Sequence, residues 1–277
     1  MRLGNAAWGL RETPLEKQLR ITHEMGLELL ELSIAGYDKD FLQLDATAAQ
    51  IAEVKMLFAK YGVKLECACT GNDFTNDDAE AQIGKVKKVI DIAAQLRVKY
   101  LRIFAGFNSD SIVYGKRFAA ALDALFRVAR YAETKNVVLA VETHGGVAQN
   151  GDALVHFNSI TTRVDTWREI LATGVSINYD PANLAAVGNA DPVAFYEIFK
   201  EHIQYVHLKD FRDVMGGVTP AACGEGRLDW PKLLSALKSY DGPALIEYEL
   251  PEDVEDGLKR SLKFLNRNGE LISKVFN

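Results

Sequence analysis

Val137-Val138-Leu139-Ala140-Val141-Glu142-Thr143-His144-Gly145-Gly146 is the stretch that decides the fold. Aliphatic and β-branched residues run unbroken into a carboxylate, an imidazole and two glycines. That pattern reads as a buried strand delivering polar side chains into the loop at its C-terminal end. Alternate strand side chains share a face, so Glu142 and His144 point one way with Val138 and Ala140, while Val137, Leu139 and Val141 point the other. One face is apolar and the other carries chemistry.

Working outward, the same ending recurs at Val175-Ser176-Ile177-Asn178-Tyr179-Asp180, at Ile203-Gln204-Tyr205-Val206-His207-Leu208-Lys209 and at Ala244-Leu245-Ile246-Glu247-Tyr248-Glu249. These strands belong to a set of eight apolar runs, placed at about 2 to 8, 27 to 34, 63 to 70, 100 to 106, 137 to 144, 175 to 180, 203 to 209 and 243 to 249. Amphipathic stretches with recognisable ends lie between them. Thr13-Pro14-Leu15-Glu16 combines an N-cap, an N1 proline and a capping-box glutamate, and Gly26 closes that helix. Asp45 opens the second helix and Gly62 closes it; Thr75 or Asp77 opens the third; a fourth covers roughly 111 to 135. Later helices span about 162 to 173, from Asp191-Pro192 to 202, from Asp229 to 240, and 252 to 268.

No linker or low-complexity stretch interrupts this alternation, so residues 1–277 read as one domain. Consecutive βα units joined by right-handed crossovers have one economical solution, an α/β fold closed as a single (β/α)8 TIM barrel. An open doubly wound sheet fits less well, because no glycine-rich phosphate fingerprint follows the first strand.

Strand alternation then sorts the residues. Leu30, Leu32 and Ile34, with Leu65, Cys67 and Cys69, and their counterparts on the other strands, are expected beneath the helices. Glu31, Glu66, Arg102, Glu142, Asp180, His207 and Glu247 are expected to face the lumen. Buried charge is strongly disfavoured unless it is paired or binds a cation. Glu142, Asp180, His207 and Glu247 each close a different strand, and three carboxylates with one imidazole suit a hard divalent cation. Manganese fits best, with magnesium, cobalt and zinc also admitted.

The composition is that of an ordinary folded protein. Of 277 residues, 48% are hydrophobic and 25% charged, ample for a core, and the formal net charge of -6 opposes a nucleic-acid duplex as the main ligand. No segment approaches the roughly 18 apolar residues of a membrane span, and Met1-Arg2-Leu3-Gly4-Asn5 lacks the apolar run of a signal peptide. The expectation is a cytoplasmic protein with no membrane partner, and homo-oligomerisation is left open. Cys67 and Cys69 read as small hydrophobes rather than metal ligands.

The segments ETHGG (142–146), NYDPAN (178–183), VHLKD (206–210), GEGRLDW (224–230) and PALIEYE (243–249) resemble the xylose-isomerase-like TIM barrels of the sugar phosphate isomerase/epimerase superfamily. That group is related to tagatose 3-epimerase, inosose dehydratase and endonuclease IV, and the likeness spans essentially the whole chain. It implies one metal ion held by Glu142, Asp180, His207 and Glu247. The chain departs from the pattern at Asn183, where the epimerases and the endonuclease carry a histidine three residues after the aspartate. It also lacks the extra histidines of a three-zinc endonuclease.

The implied activity is isomerisation or epimerisation of a small ketose or related sugar, by proton abstraction and return through a metal-stabilised enediolate. Glu142 and Glu247 are the expected catalytic carboxylates. His144, Lys209, Arg102, Glu249 and Trp8 are the expected substrate-binding residues, with Lys209 either holding a substrate oxygen or pairing with Asp210 or Glu249. One alternative is a metal-dependent dehydratase of a cyclic keto-polyol of the inosose or 3-dehydroshikimate type. A second is a non-catalytic sugar-binding barrel. His23, His156 and His202 are expected to be structural, and the glycine-rich segment 210–228 to be a mobile cover over the mouth.

Overall fold

The computed structural model describes residues 1–188 and 190–268. In chain order the strands are β1 (Arg2–Asn5), β2 (Leu29–Leu30), β3 (Leu32–Ser33), β4 (Cys67–Cys69), β5 (Tyr100–Ile103), β6 (Val138–Glu142), β7 (Gly146–Asn150), β8 (Ala153–Phe157), β9 (Ser176–Tyr179), β10 (Ile203–Leu208), β11 (Asp210–Val214), β12 (Gly217–Ala221) and β13 (Pro243–Ile246). The helices are α1 (Leu15–Glu24), α2 (Ala48–Tyr61), α3 (Ala79–Leu96), α4 (Lys116–Glu133), α5 (Val164–Ala172), α6 (Pro181–Val187), α7 (Pro192–Phe199), α8 (Trp230–Ala236) and α9 (Val254–Arg267).

A parallel sheet runs in the order β2-β1-β13-β10-β9-β6-β5-β4-β3. β2 and β3 are two halves of one strand interrupted at Glu31. β2 pairs with β1 at one end of the sheet and β3 with β4 at the other, so the sheet curls back on itself. The Glu31 amide still donates to the Asn5 carbonyl across the break. The expected α/β TIM barrel is the observed architecture.

Local chemistry explains the helix ends. The second helix opens at Thr47 rather than Asp45, because Thr47 and Gln50 form a complete capping box; it closes at Gly62 in the left-handed region. α6 was not anticipated. It starts directly after β9, with Pro181 in its first turn and the Asp180 carboxylate accepting from the Asn183 amide.

The main core lies between strands and helices and includes Leu30, Leu32, Ile34, Leu139, Val141, Leu208 and Ile246. A smaller cluster of Ala6, Leu29, Cys67, Tyr100, Ala140, Tyr205 and Leu245 fills the barrel floor. Here the expected alternation at 63–70 is off by one residue. Cys67 faces the lumen beside Tyr100, its partner in the β4–β5 register, whereas Glu66 pairs with Arg2 at 2.7 Å where both side chains are about one-third exposed. The floor of the barrel is apolar, so being ionisable did not mark a lumen residue at that depth.

A second, antiparallel sheet in the order β11-β12-β8-β7 consists of two hairpins, one following β6 and one following β10. The turns use Gly151 (φ 59) and Gly216 (φ 90), conformations that glycine adopts without a Cβ penalty. The segment expected as a mobile cover is therefore built differently. Its residues 210–221 form β11 and β12, joined to the other hairpin at Val218 and Leu154. The following turn is pinned by the Asp210 carboxylate, which accepts from the amides of Gly224, Gly226 and Leu228 and from the Trp230 indole. Among the described residues, no helix is long and apolar enough to cross a membrane.

Candidate metal centre

Four neighbouring strands deliver the polar cluster. Glu142 closes β6, Asp180 follows β9, His207 lies in β10 and Glu247 follows β13. Thr143 fastens the first two ends together, since its hydroxyl accepts from the Asp180 amide at 2.7 Å and donates to the Asp180 carbonyl at 3.1 Å. One donor atom from each of Glu142, Asp180, His207 and Glu247 lies within 4.8 Å of the others, and all four residues are buried.

These residues fit a divalent cation. His207 is fully buried with Nδ1 3.5 Å from Glu247 Oε2 and 3.7 Å from Glu142 Oε1, and among the described residues neither ring nitrogen makes a hydrogen bond. Asp180 Oδ2 is likewise without one, although Lys209 Nζ approaches it at 3.0 Å. Orphaned buried polar atoms cost about 1–3 kcal/mol each, and a cation among hard oxygens and an imidazole would satisfy them together. The charge balance points the same way, with the carboxylates of Glu31, Glu142, Asp180, Glu247 and Glu249 facing the permanent cations Arg102 and Lys209.

Each carboxyl in the cluster has its own electrostatic setting. Burial pushes Glu142 up, but Arg102 and His207 overcome it and hold its carboxyl at about 2. Glu247 is likewise pulled well below the usual carboxylate range, as Lys209 and His207 outweigh its burial. Asp180 goes the other way, to about 7, because burial and the charges of Glu142 and Glu247 exceed the attraction of Lys209. Glu142 and Glu247 are thus ionised at neutral pH.

Lys209 was expected either to hold a substrate oxygen or to pair with Asp210 or Glu249. It sits 3.0 Å from Asp180 and Glu247 and 3.1 Å from Glu249, while Asp210 turns away into the loop that it pins. Burial depresses the ammonium, but Asp180, Glu247 and Glu249 raise it well above its ordinary value, so it is a fixed positive charge. Arg102 approaches Glu142 Oε2 at 3.2 Å and donates to the Thr70 carbonyl. Asn183, which departs from the resembled pattern, donates to Glu142 Oε1 at 3.1 Å and so holds that carboxylate.

Above the cluster opens a cavity of 560 Å³. Every expected substrate-binding residue lines it: Trp8, Arg102, His144, Lys209 and Glu249. Trp8, 40% exposed at the rim, meets Tyr37 edge-on and carries the Arg11 guanidinium over its ring. His144 packs edge-on against Phe104 and Phe107, and its backbone is held by Ser159 and Thr161, whose hydroxyls donate to its carbonyl. Gly146 permits this wall, because a Cβ there would lie 2.0 Å from the Phe157 ring.

Sequence reasoning missed Asn183, His156 and the aromatic wall of Phe104 and Phe107. Asn183 carried only a signal of departure, and His156, expected to be structural, lies on β8 and lines the cavity. The hairpin that brings His156 there was signalled by Asn150-Gly151 between two short strand-like runs. His23 and His202 lie on surface turns of helix, away from the cavity, as expected.

A family model described as the xylose isomerase-like TIM barrel matches residues 19–268. A curated relative, a probable endonuclease 4 from Halobacterium salinarum, is 26% identical over 230 residues, which is 80% of this chain and 79% of that protein. The probable 3-DHS dehydratase AsbF of Bacillus anthracis superposes with a TM-score of 0.75 at 17% identity, over 96% of this chain and 99% of the other. D-psicose 3-epimerase from Clostridium cellulolyticum H10, solved with D-tagatose, superposes with a TM-score of 0.71 at 15% identity, over 98% of this chain and 99% of the other. At these identities the two solved structures bear on the fold.

Proposed function

The chain belongs to the xylose isomerase-like TIM barrel family, and on that premise we propose that it is a divalent-metal-dependent isomerase or epimerase of a small ketose or related polyol ketone. The observation that carries this reading is the buried cluster of Glu142, Asp180, His207 and Glu247 beneath a cavity lined by both polar and aromatic side chains. A divalent ion held by those four residues, manganese in our reading, would supply Lewis-acid polarisation of a carbonyl and its neighbouring hydroxyl.

The protein's own residues supply the rest. Glu142 and Glu247 are held ionised, so a carboxylate oxygen of either can take the proton from the carbon beside the carbonyl and return it. Lys209, a buried ammonium, offers positive charge to the oxygen on which negative charge develops. Trp8, Phe104 and Phe107 present apolar surface that excludes water from the reacting carbon.

One feature favours a second reading, elimination of water. The Glu249 carboxyl is raised by burial, which Lys209 offsets only in part and Glu247 reinforces. A carboxyl whose proton affinity is raised at the cavity wall is the better placed to deliver a proton to a departing hydroxyl. A nucleic-acid substrate is disfavoured by the net charge of -6.

The test is to prepare the protein without chelator, determine its bound metal, and incubate the manganese-loaded form with a ketose panel in deuterated water. Deuterium entering an intact sugar or its epimer supports the first reading, and product lighter by one water supports the second. A protein that neither binds manganese nor exchanges any ketose would refute both.

A further inference from the structure

His156 reaches the cavity from β8, in the hairpin sheet that stands beside the mouth, and not from a barrel strand. Along β8 the residues alternate, so Leu154 and His156 line the cavity while Val155 is turned to solvent. The imidazole rests on the Phe211 ring at 4.9 Å between centroids. Both of its ring nitrogens are closed off from solvent, and neither has a hydrogen-bond partner among the described residues.

An imidazole with two unpartnered nitrogens forfeits hydrogen bonds that water would otherwise make, and such a group in a cavity wall calls for a ligand. Its terminal torsion is broad and two-fold, so a turn about Cβ–Cγ presents a nitrogen to the cavity at little cost. We propose that His156 reads a hydroxyl at the end of the substrate remote from the reacting carbon, and that the substrate is an unphosphorylated polyhydroxy ketone. This inference rests on the reading of the cavity as a sugar site.

Two observations fix the chemical class. Burial, with smaller contributions from Lys209 and His144, holds His156 down at about 3, so the ring is neutral and offers one donor and one acceptor, the complement of a hydroxyl. A phosphate would instead need charge-assisted donors. The cations lining the cavity, Arg102 and Lys209, are already engaged, Arg102 with Glu142 and Lys209 with Asp180, Glu247 and Glu249.

The experiment measures binding by calorimetry, and deuterium exchange in parallel, on the manganese-loaded protein. The probes are D-fructose, its monodeoxy analogues lacking one distal hydroxyl each, and the phosphate ester of its terminal hydroxyl. The wild-type protein should bind D-fructose roughly five- to tenfold more tightly than one monodeoxy analogue, the equivalent of one hydrogen bond, and should bind the phosphate ester more weakly than the parent. His156→Phe should abolish that discrimination, and His156→Gln, which keeps a donor and an acceptor, should restore part of it. Exchange with unchanged discrimination in His156→Phe overturns the inference while leaving the proposed reaction standing, as does tighter binding of the phosphate ester. Binding with the expected discrimination but no exchange supports the inference and counts against the reaction. No binding of any probe overturns both.

Discussion

Glu31 Oε1 stands 3.5 Å from His207 Nε2, while Glu142 and Glu247 approach the other ring nitrogen, Nδ1. Glu31 is itself fixed, accepting from the Tyr205 hydroxyl and from the Ala7 amide, each at 3.0 Å. A carboxylate behind a ligating imidazole keeps the proton on the far nitrogen and leaves the near one free to bind a cation. The break between β2 and β3 falls at this residue.

Replacing Glu31 by Gln should therefore weaken manganese affinity about tenfold or more while leaving the fold intact. Titration of the metal against wild type and variant, with circular dichroism as the control for folding, measures this directly. Equal affinities would mean that His207 takes its orientation from the barrel alone.

Glu142→Gln and Glu247→Gln keep size and one ligating oxygen while removing basicity. In whichever variant retains metal, loss of the catalytic base should lower turnover on the order of a hundredfold or more, and deuterium exchange should fall with it. If both variants hold metal and exchange at the parent rate, proton transfer belongs to another group, with Lys209 and His144 next to examine.

His156 sets a pH dependence of stability. Its folded pKa, about 3, lies below the ordinary 6.5, so between those values the unfolded chain takes up a proton that the folded chain refuses. The group thus contributes no penalty above about pH 6.5, and stability is lost as pH falls below it, by at most about 1.4 kcal/mol per pH unit. Denaturant midpoints measured from pH 7 to pH 4 should fall less steeply for His156→Gln than for wild type. Parallel curves would show that the imidazole titrates as it does in the unfolded chain.

Asp210 holds four backbone amides, those of Phe211, Gly224, Gly226 and Leu228, and the Trp230 indole, so Asp210→Ala leaves several donors without their acceptor. A loss of roughly 2–4 kcal/mol is expected, read as a lower denaturant midpoint. Limited proteolysis of the wild type should cut at the fully exposed tip residue Met215, and the variant should gain cleavage after β12. A variant with unchanged stability and cleavage would mean that the hairpin pairing alone fixes this segment.

The barrel was legible because its signals are local and repeated. Apolar runs alternate with capped amphipathic helices, and Glu142, Asp180, His207 and Glu247 each stand at the end of such a run. Parallel strands in a closed sheet bring equivalent ends together, so position along each strand sufficed to place these four residues side by side. The Cys67 face was lost because a strand only three residues long carries too little alternation to fix its own register; pairing with Tyr100 settles it.

What the tertiary structure decided is the set of partners. Glu249 was one expected partner of Lys209, but nothing near Lys209 in sequence shows that its ammonium also meets Asp180 and Glu247, or that Asn183 restrains Glu142. Nor does the Asn150-Gly151 turn, readable as a hairpin, reveal that His156 ends beside the cavity, because that depends on β8 pairing with β12 across more than sixty residues of chain. Strand position is encoded in local periodicity, whereas the charge, protonation and contacts of a buried side chain are set by neighbours that only the closed fold brings within a few ångströms.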